Sequence, residues 1–277
     1  MSRFSNKITI NDLINIPYDY VIKTIVEFIQ NKIAETNVEK IVMGLSGGVD
    51  SSTLLAVLIE SIGSDKVVVF IMPDSKNIVE NDILDALELV SRFNVKYYLI
   101  PIDRIVESYS SIPFYNTSDK IAMGNLKTRI RMSILYYYAN KHKALVAGSS
   151  DRSEILIGYF TKYGDAAADI LPLGSLYKTQ VRKLASILKL PVKIVNKPSS
   201  PGFWPGHLAE EEIGVKYELI DLVLYAYFDK GISLDKIPDY TDVSKDIVDK
   251  IISMYKKSIH KRVFPDIPRF PWIRIVV

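Results

Sequence analysis

The chain contains no cysteine, and this absence excludes several kinds of chemistry before any motif is considered. None of its 277 residues can form a disulfide, bind zinc as a thiolate or act as a thiol nucleophile. Histidine is scarce as well, and the spacing of its three copies does not suit a zinc site. The composition therefore excludes several functions without identifying one.

Long hydrophobic runs and blocks of like charge are also missing. No apolar stretch approaches the roughly 18 residues that a membrane span needs, and residues 1–11 do not read as a signal peptide. The net charge of +3 is too small to indicate a nucleic-acid partner. We therefore expect a cytoplasmic protein that binds neither membrane nor nucleic acid. Since no stretch resembles a linker, we expect a single domain over residues 1–277.

Short apolar strands that alternate with helices are the main pattern of the first half. Such alternation predicts an α/β fold with a Rossmann-like parallel sheet and helices on both faces. Ligands of these sheets bind beyond the carboxyl ends of the strands, here residues 44–50, 72–77 and 148–154. The predicted strands are residues 40–44, 67–71, 95–100 and 144–147, and the predicted helices are residues 20–34, 51–62, 79–93 and 123–142.

The second half reads differently. Prolines and glycines predict an irregular loop over residues 197–209, and residues 218–228 and 244–257 read as surface helices. Three prolines predict an extended tail over residues 263–277. The tail aromatics Phe264, Phe270 and Trp272 favour packing of that tail against the protein.

The segment from Gly44 to Ser52, Gly-Leu-Ser-Gly-Gly-Val-Asp-Ser-Ser, joins the first strand to its helix. Two adjacent glycines let the backbone approach a ligand, and the helix start adds free N–H groups and positive dipole. These features predict a phosphate site, with Asp50 sharing Mg²⁺ with the phosphate. The lysine of a Walker loop and the Gly-x-Gly of a dinucleotide fingerprint are absent. The alternative is an ordinary turn with Asp50 as N-cap.

This loop resembles that of the N-type ATP pyrophosphatases, whose signature Ser-Gly-Gly-x-Asp-Ser matches residues 46–51. The resemblance implies an adenine nucleotide alpha hydrolase-like fold and cleavage of ATP between its α- and β-phosphates. It also implies catalytic roles for Asp50, Ser46 and Ser51. The loop residues expected to hold ATP are Gly44, Leu45, Ser46, Gly47, Gly48, Val49, Asp50 and Ser51.

Three further segments resemble NAD synthetase, a family within that superfamily. They are residues 124–132 (Gly-Asn-Leu-Lys-Thr-Arg-Ile-Arg-Met), residues 148–154 (Gly-Ser-Ser-Asp-Arg-Ser-Glu) and residues 158–180, which include Phe-Thr-Lys-Tyr-Gly-Asp. Weaker matches are Pro198-Ser199 and His260-Lys261-Arg262. The alternatives are a solvated basic helix, a plain helix cap with Glu154 as a solvated or capping residue, and a buried loop with a Lys–Asp ion pair.

The resemblance assigns roles residue by residue. Glu154 would complete the Mg²⁺ shell with Asp50, while Lys178 would be catalytic and contact the ATP phosphates. Ser149 and Ser199 would also bind ATP. The residues expected to bind deamido-NAD are Arg129, Lys162, Asp169, His260 and Lys261.

The implied activity is ammonia-dependent NAD synthesis, in which ATP adenylylates deamido-NAD and ammonia then displaces AMP. Glutamine as the nitrogen donor usually requires a cysteine nucleophile and a large extra domain. Because this chain has neither, we expect free ammonia or a separate glutaminase as the source. The family also implies a homodimer, in which the helix over residues 123–142 and its Tyr136–Tyr138 run are candidates for the interface. A GMP synthetase-like enzyme and a non-catalytic ATP-binding module remain the alternatives.

Overall fold

A computed structural model describes residues 7–75 and 80–272, and within them the fold is built on a four-stranded parallel sheet. The strands are β1 Lys40–Gly44, β2 Val67–Ile71, β3 Lys96–Leu99 and β4 Ala144–Val146, in the order β3-β2-β1-β4. All three pairings are parallel. The predicted fold class is confirmed, and the predicted strand bounds hold to within one residue.

The strand order creates a crevice beside β1. The chain leaves β1 for β2 on one side, and β4 pairs with β1 on the other. The strand order therefore reverses at β1, and a crevice opens beyond its carboxyl end. The loop that follows Gly44 lies in this crevice.

Alternating strand residues are buried against helices on both faces of the sheet. Ile41, Val67 and Val69 pack against one group of helices, while Val42 and Val68 pack against another. This alternation follows from the two-residue period of a strand. The first face is covered by α2 Tyr18–Thr36, α3 Val49–Ile62, α4 Glu80–Arg92, α8 Lys178–Ile187 and α9 Val192–Val195, and the second by α5 Asp103–Ser108 and α6 Lys120–His142.

A third hydrophobic cluster lies among helices that do not cover the sheet, with Tyr217, Ile220 and Ile251 at its centre. It joins the sheet region through contacts of α8 with α1 (Ile10–Ile14) and α11 (Tyr217–Leu224). The remaining helices are α1 Ile10–Ile14, α7 Arg152–Ile157, α10 Ala209–Ile213, α11 Tyr217–Leu224, α12 Ile237–Thr241 and α13 Lys245–Lys257.

Two elements differ from their predicted environment. Every residue of β3 is exposed, although the alternation of strands and helices predicted a sheet covered on both faces. The reason is its place at the sheet edge, where it pairs with β2 alone. The predicted surface helix at residues 218–228 is instead α11 and a π-helical turn, Tyr225–Asp229, and six of the eight residues of α11 are buried.

The tail aromatics belong to none of the three hydrophobic clusters of the described residues, contrary to the predicted packing. Phe264, Phe270 and Trp272 are 67%, 46% and 78% exposed, although Phe270 and Trp272 stack on each other. The predicted irregular loop is confirmed up to α10, which begins at Ala209. Residues 77 and 79, at the ends of two predicted segments, lie outside the described residues. Across residues 7–75 and 80–272, no helix combines the length and apolar content needed to cross a bilayer.

Candidate active site

A cleft of about 560 Å³ opens beyond the carboxyl ends of β1, β2 and β4. This volume suits a small-molecule ligand. The cleft walls come from the glycine-rich loop after β1, the end of β2, α6, and three segments at residues 148–167, 197–212 and 261. Six parts of the chain that are distant in sequence thus meet at the crevice that the strand order creates.

The glycine-rich loop needs glycine at residue 47. Gly47 has φ of +80°, and a Cβ atom there would lie 2.2 Å from the carbonyl oxygen of Asp82. Helix α3 then begins with Gly48 as its N-cap, and Asp50 lies in its first turn. Asp50 is therefore not the N-cap, so the alternative of an ordinary turn capped by Asp50 is wrong.

Two serine hydroxyls line the inside of this loop. The Oγ atoms of Ser46 and Ser51 are 3.0 Å apart, and the N–H groups of Ser46 and Gly48 donate to Ser51 Oγ and Ser46 Oγ, both at 3.2 Å. The hydroxyls lie at the N-terminus of α3, where the helix dipole favours an anion. The loop can thus offer hydroxyl and amide donors to one ligand.

Lys178 is fully buried beneath the cleft and contacts three carboxylates. Its Nζ lies 2.6 Å from Asp50 Oδ2, 2.9 Å from Asp151 Oδ2 and 2.9 Å from Glu154 Oε1. Burial alone would lower the pKa of Lys178, but the three carboxylates outweigh it and raise that pKa well above its usual value. Burial raises the pKa of both Asp151 and Glu154 despite the lysine.

The first turn of α7 positions two of these carboxylates, those of Asp151 and Glu154. Asp151 is the N-cap of α7 and accepts from the N–H of Glu154 at 2.8 Å, in a capping box with Glu154. The helix-cap alternative for this segment is therefore correct for Asp151. It does not exclude a role for Glu154, because Glu154 also lines the cleft and contacts Lys178.

The acidic cluster fits a divalent cation. Three carboxylates and one ammonium leave a net charge of −2, and buried Asp50 Oδ1 has no hydrogen-bond partner among the described residues. No group of three metal-ligating residues is preformed within the described ranges. Mg²⁺ needs no such group, because it takes one or two carboxylates together with phosphate oxygens and water. Asp50 and Glu154 are the two carboxylates of the cluster that face the cleft.

Sequence reasoning missed Asp221, which supports this cluster from below. Asp221 is fully buried in α11, where it accepts from Ser153 Oγ at 2.5 Å and from the Thr179 N–H at 2.8 Å. Ser153 Oγ in turn accepts from the Lys178 N–H. Burial raises the pKa of Asp221 to about 7. The sequence signal that could have identified Asp221 is its place among the apolar residues of the helix that became α11.

Most of the residues expected to bind ATP line the cleft. Ser199 does so with a buried Oγ that has no hydrogen-bond partner in the described structure. Lys178 does not line the cleft, and its predicted phosphate contact stays a prediction. The predicted ATP residues that line it are Gly44, Leu45, Ser46, Gly48, Val49, Asp50, Ser51, Ser149 and Ser199.

The residues expected to bind deamido-NAD are not brought together in the cleft. Lys261 lines it, but its Nζ donates to the carbonyls of Gly158 and Phe160. Arg129 is exposed on α6, where its Nε donates to the carbonyl of Lys162, and His260 is also exposed. These roles stay predictions.

Asp169 also lies outside the cleft, where its carboxylate accepts from the Val146 N–H and from the Tyr136 hydroxyl. Lys162 and Asp169 form no ion pair with each other in the described ranges, so the ion-pair alternative fails. The alanines at residues 166–167, which replace the usual glycines of the family, adopt no positive φ. Alanine is therefore tolerated at both positions.

Aromatic side chains of the irregular loop close one wall of the cleft. Trp204 stacks on His207 with ring centroids 3.4 Å apart, and Phe203 packs against Gly124 of α6. A Cβ atom at Gly124 would lie 2.1 Å from the Phe203 ring. Helix α6 therefore needs glycine at this position for the loop to approach it.

Comparisons with known proteins agree with this geometry. The family model described as NAD synthase matches residues 21–265. An NH(3)-dependent NAD(+) synthetase from Staphylothermus marinus is 58% identical over 267 residues, which is 96% of this chain and 97% of that protein.

Two solved structures are similar to the whole fold. The NMN synthetase from Francisella tularensis has a TM-score of 0.81 and 32% identity, over 92% of this chain and all of that one. The NH3-dependent NAD synthetase from Campylobacter jejuni, in complex with the nitrate ion, has a TM-score of 0.77 and 28% identity, with the same coverage of both chains. The predicted resemblance is confirmed: this chain belongs to the NAD synthase family.

Proposed function

We propose that this chain is an ammonia-dependent NAD⁺ synthetase, a carbon–nitrogen ligase that amidates deamido-NAD at the expense of ATP. The observation that carries the proposal is the cleft itself. It has an anion-binding loop on one wall and the carboxylates of Asp50 and Glu154 beside it. Family membership supports the choice of substrates.

In the first step, the nicotinate carboxylate attacks the α-phosphorus of ATP, and the bond to the β-phosphate oxygen breaks. The hydroxyls of Ser46 and Ser51 and the amides of the loop hold the departing pyrophosphate. Asp50 and Glu154 would hold Mg²⁺, which neutralises phosphate charge. The charge that accumulates on the leaving group is thus balanced where it forms.

In the second step, ammonia attacks the carbonyl carbon of the adenylate, and AMP leaves with the bonding electrons. The attacking nitrogen must lose a proton. Asp165 lines the cleft, and the protein atoms that surround it raise the pKa of its carboxyl group. A raised pKa makes a carboxylate a stronger base, and its place in the cleft makes Asp165 the residue that we propose accepts this proton.

The nitrogen donor is ammonia, either free or delivered by a separate glutaminase, because the chain has no cysteine to attack glutamine. We also propose a homodimer. The predicted deamido-NAD residues Arg129 and Asp169 lie beside the exposed face of α6, where Tyr137 is 71% exposed. A second copy over this face would enclose them and cover the apolar surface. Sedimentation at micromolar concentration tests the dimer, and a monomer would refute it.

The activity is tested with ATP, Mg²⁺, ammonium and one acceptor at a time. NAD and AMP should form in equal amounts with deamido-NAD. Nicotinate mononucleotide is the second acceptor, because the Francisella tularensis structure is an NMN synthetase. Xanthosine monophosphate tests the GMP synthetase-like alternative. If AMP is released only with one of the other two acceptors, that acceptor is the substrate instead of deamido-NAD. If ATP binds but no AMP is released with any of the three acceptors, the protein is a non-catalytic ATP-binding module.

A further inference from the structure

A partly buried lysine connects the phosphate loop to helix α4. Lys197 is the first residue of the irregular loop, and its side chain is 20% exposed. Its Nζ donates to the Gly47 carbonyl oxygen at 2.9 Å and to Asp82 Oδ1 at 2.8 Å, and it also contacts Asp85 Oδ2. One ammonium group thus contacts the loop and two carboxylates of α4.

The contact with Gly47 fixes the orientation of one peptide group. The C=O of Gly47 and the N–H of Gly48 belong to the same trans peptide plane and point in opposite directions. Because Lys197 holds the carbonyl on one side, the Gly48 N–H points to the other, towards Ser46 Oγ at 3.2 Å. Glycine at residue 47 has no side chain to resist rotation of this plane, so the lysine supplies the restraint.

Lys193 offers a built-in comparison. It pairs with the other oxygen of Asp85 and with Glu88, each at 2.7 Å, but it is 54% exposed, and no contact of its ammonium group with the phosphate loop is among those found in the described structure. Lys193 and Lys197 together outweigh the burial of Asp85 and hold its pKa below the usual value. The two lysines share a partner and differ in their contact with Gly47.

We propose that Lys197 is a positioning residue, which orients the Gly47–Gly48 peptide so that the loop is preformed for the phosphates of ATP. This inference rests on the proposed function only for the identity of the nucleotide. The carboxylate of Asp85 holds the ammonium group of Lys197 in place. Asp85 is buried and does not line the cleft.

The test measures equilibrium binding of Mg·ATP by calorimetry without deamido-NAD, and then the KM for each substrate. Lys197→Met should weaken ATP binding about 10- to 100-fold, the range for loss of a hydrogen bond from a charged donor. The KM for deamido-NAD should stay within about twofold. Lys193→Met, the matched control, should leave ATP binding within about twofold of wild type, because exposed pairs contribute little.

Asp85→Asn separates positioning from direct contact between Lys197 and phosphate. If the lysine acts through the loop, loss of its anchor should weaken ATP binding. If it contacts phosphate directly, removal of a nearby negative charge should leave ATP binding unchanged or strengthen it, and the proposal is overturned. Unchanged binding in Lys197→Met, or an equal loss in Lys193→Met, would also overturn it. Should Lys197→Met not fold, Asp85→Asn decides alone.

The proposed function fails separately from this inference. Wild-type protein that binds ATP but forms no NAD would refute the enzyme, whereas the comparison of ATP affinities among the variants would still stand.

Discussion

Replacement of Lys178 by methionine tests the account of the acidic cluster most directly. Lys178 Nζ is the only ammonium group found within ion-pair distance of Asp50, Asp151 and Glu154 among the described residues. Methionine keeps most of the side-chain volume but leaves three carboxylates without their cation. The variant should therefore be destabilised even though its packing is nearly conserved.

The expected loss is about 3–5 kcal/mol, the range measured when one partner of a buried ion pair is removed. A chain of 277 residues has an unfolding entropy of about 0.6 kcal/mol/K at its melting temperature. The loss should therefore lower the melting temperature by about 5–9 °C in calorimetry at pH 8 without Mg²⁺. Lys183→Met is the control, because Lys183 is exposed on the same helix and its loss should shift the melting temperature by less than about 1 °C.

Two further measurements test the cause. Burial already raises the folded-state pKa of Asp151 and Glu154, and without the lysine the pKa values of these carboxyl groups should rise further. The folded state then binds more protons than the unfolded state, so the variant should regain stability as the pH falls from about 8 towards 5. Mg²⁺ should also stabilise the variant more than the wild type. A melting temperature equal to wild type without Mg²⁺ would refute this account.

Three further predictions follow from the same geometry. Gly47→Ala should raise the KM for ATP more than tenfold, because φ of +80° and the Asp82 carbonyl both oppose a Cβ atom; a KM for ATP equal to that of wild type would contradict this. Asp50→Asn should abolish NAD formation while leaving the fold intact by circular dichroism, and wild-type rates would contradict its Mg²⁺ role. The raised pKa of Asp221, about 7, means that its contribution to stability is complete below about pH 4 and is lost as the pH rises through 7, so thermal melts of Asp221→Asn should vary less with pH across this range than those of wild type.

The fold and the phosphate loop could be predicted because their signals are local. Each buried strand is a short apolar run that ends in a turn, and the loop motif is contiguous from Gly44 to Ser52. The α/β pattern also places the site beyond the carboxyl ends of the strands, although it does not give the order in which the strands pair. Family resemblance then identified Glu154 and Ser149 on a second segment of the same cleft.

The environment of each element could not be predicted in the same way, because it depends on partners distant in sequence. The run that forms β3 includes Lys96 and two tyrosines and still reads as one of the sheet's strands, but among the described residues β3 has a neighbouring strand on one side only. The apolar stripe of α11 reads as amphipathic until the helices around it are known, and these bury Asp221 with it. Lys178 was predicted to face phosphate, and only the structure shows which carboxylates surround its ammonium group.

The loop and the acidic cluster explain each other through charge. Taken alone, the loop is an anion site in which Asp50 is misplaced, because a carboxylate in the first turn of α3 repels phosphate at close range. Taken alone, the cluster carries a formal charge of −2 when every group is ionised, with one buried lysine among three carboxylates. A divalent cation at Asp50 and Glu154 removes both difficulties, because it neutralises the cluster and turns the repulsion of phosphate into attraction. We therefore interpret Lys178 as the residue that keeps three carboxylates together beneath the cleft, so that the site is preformed before the phosphates arrive.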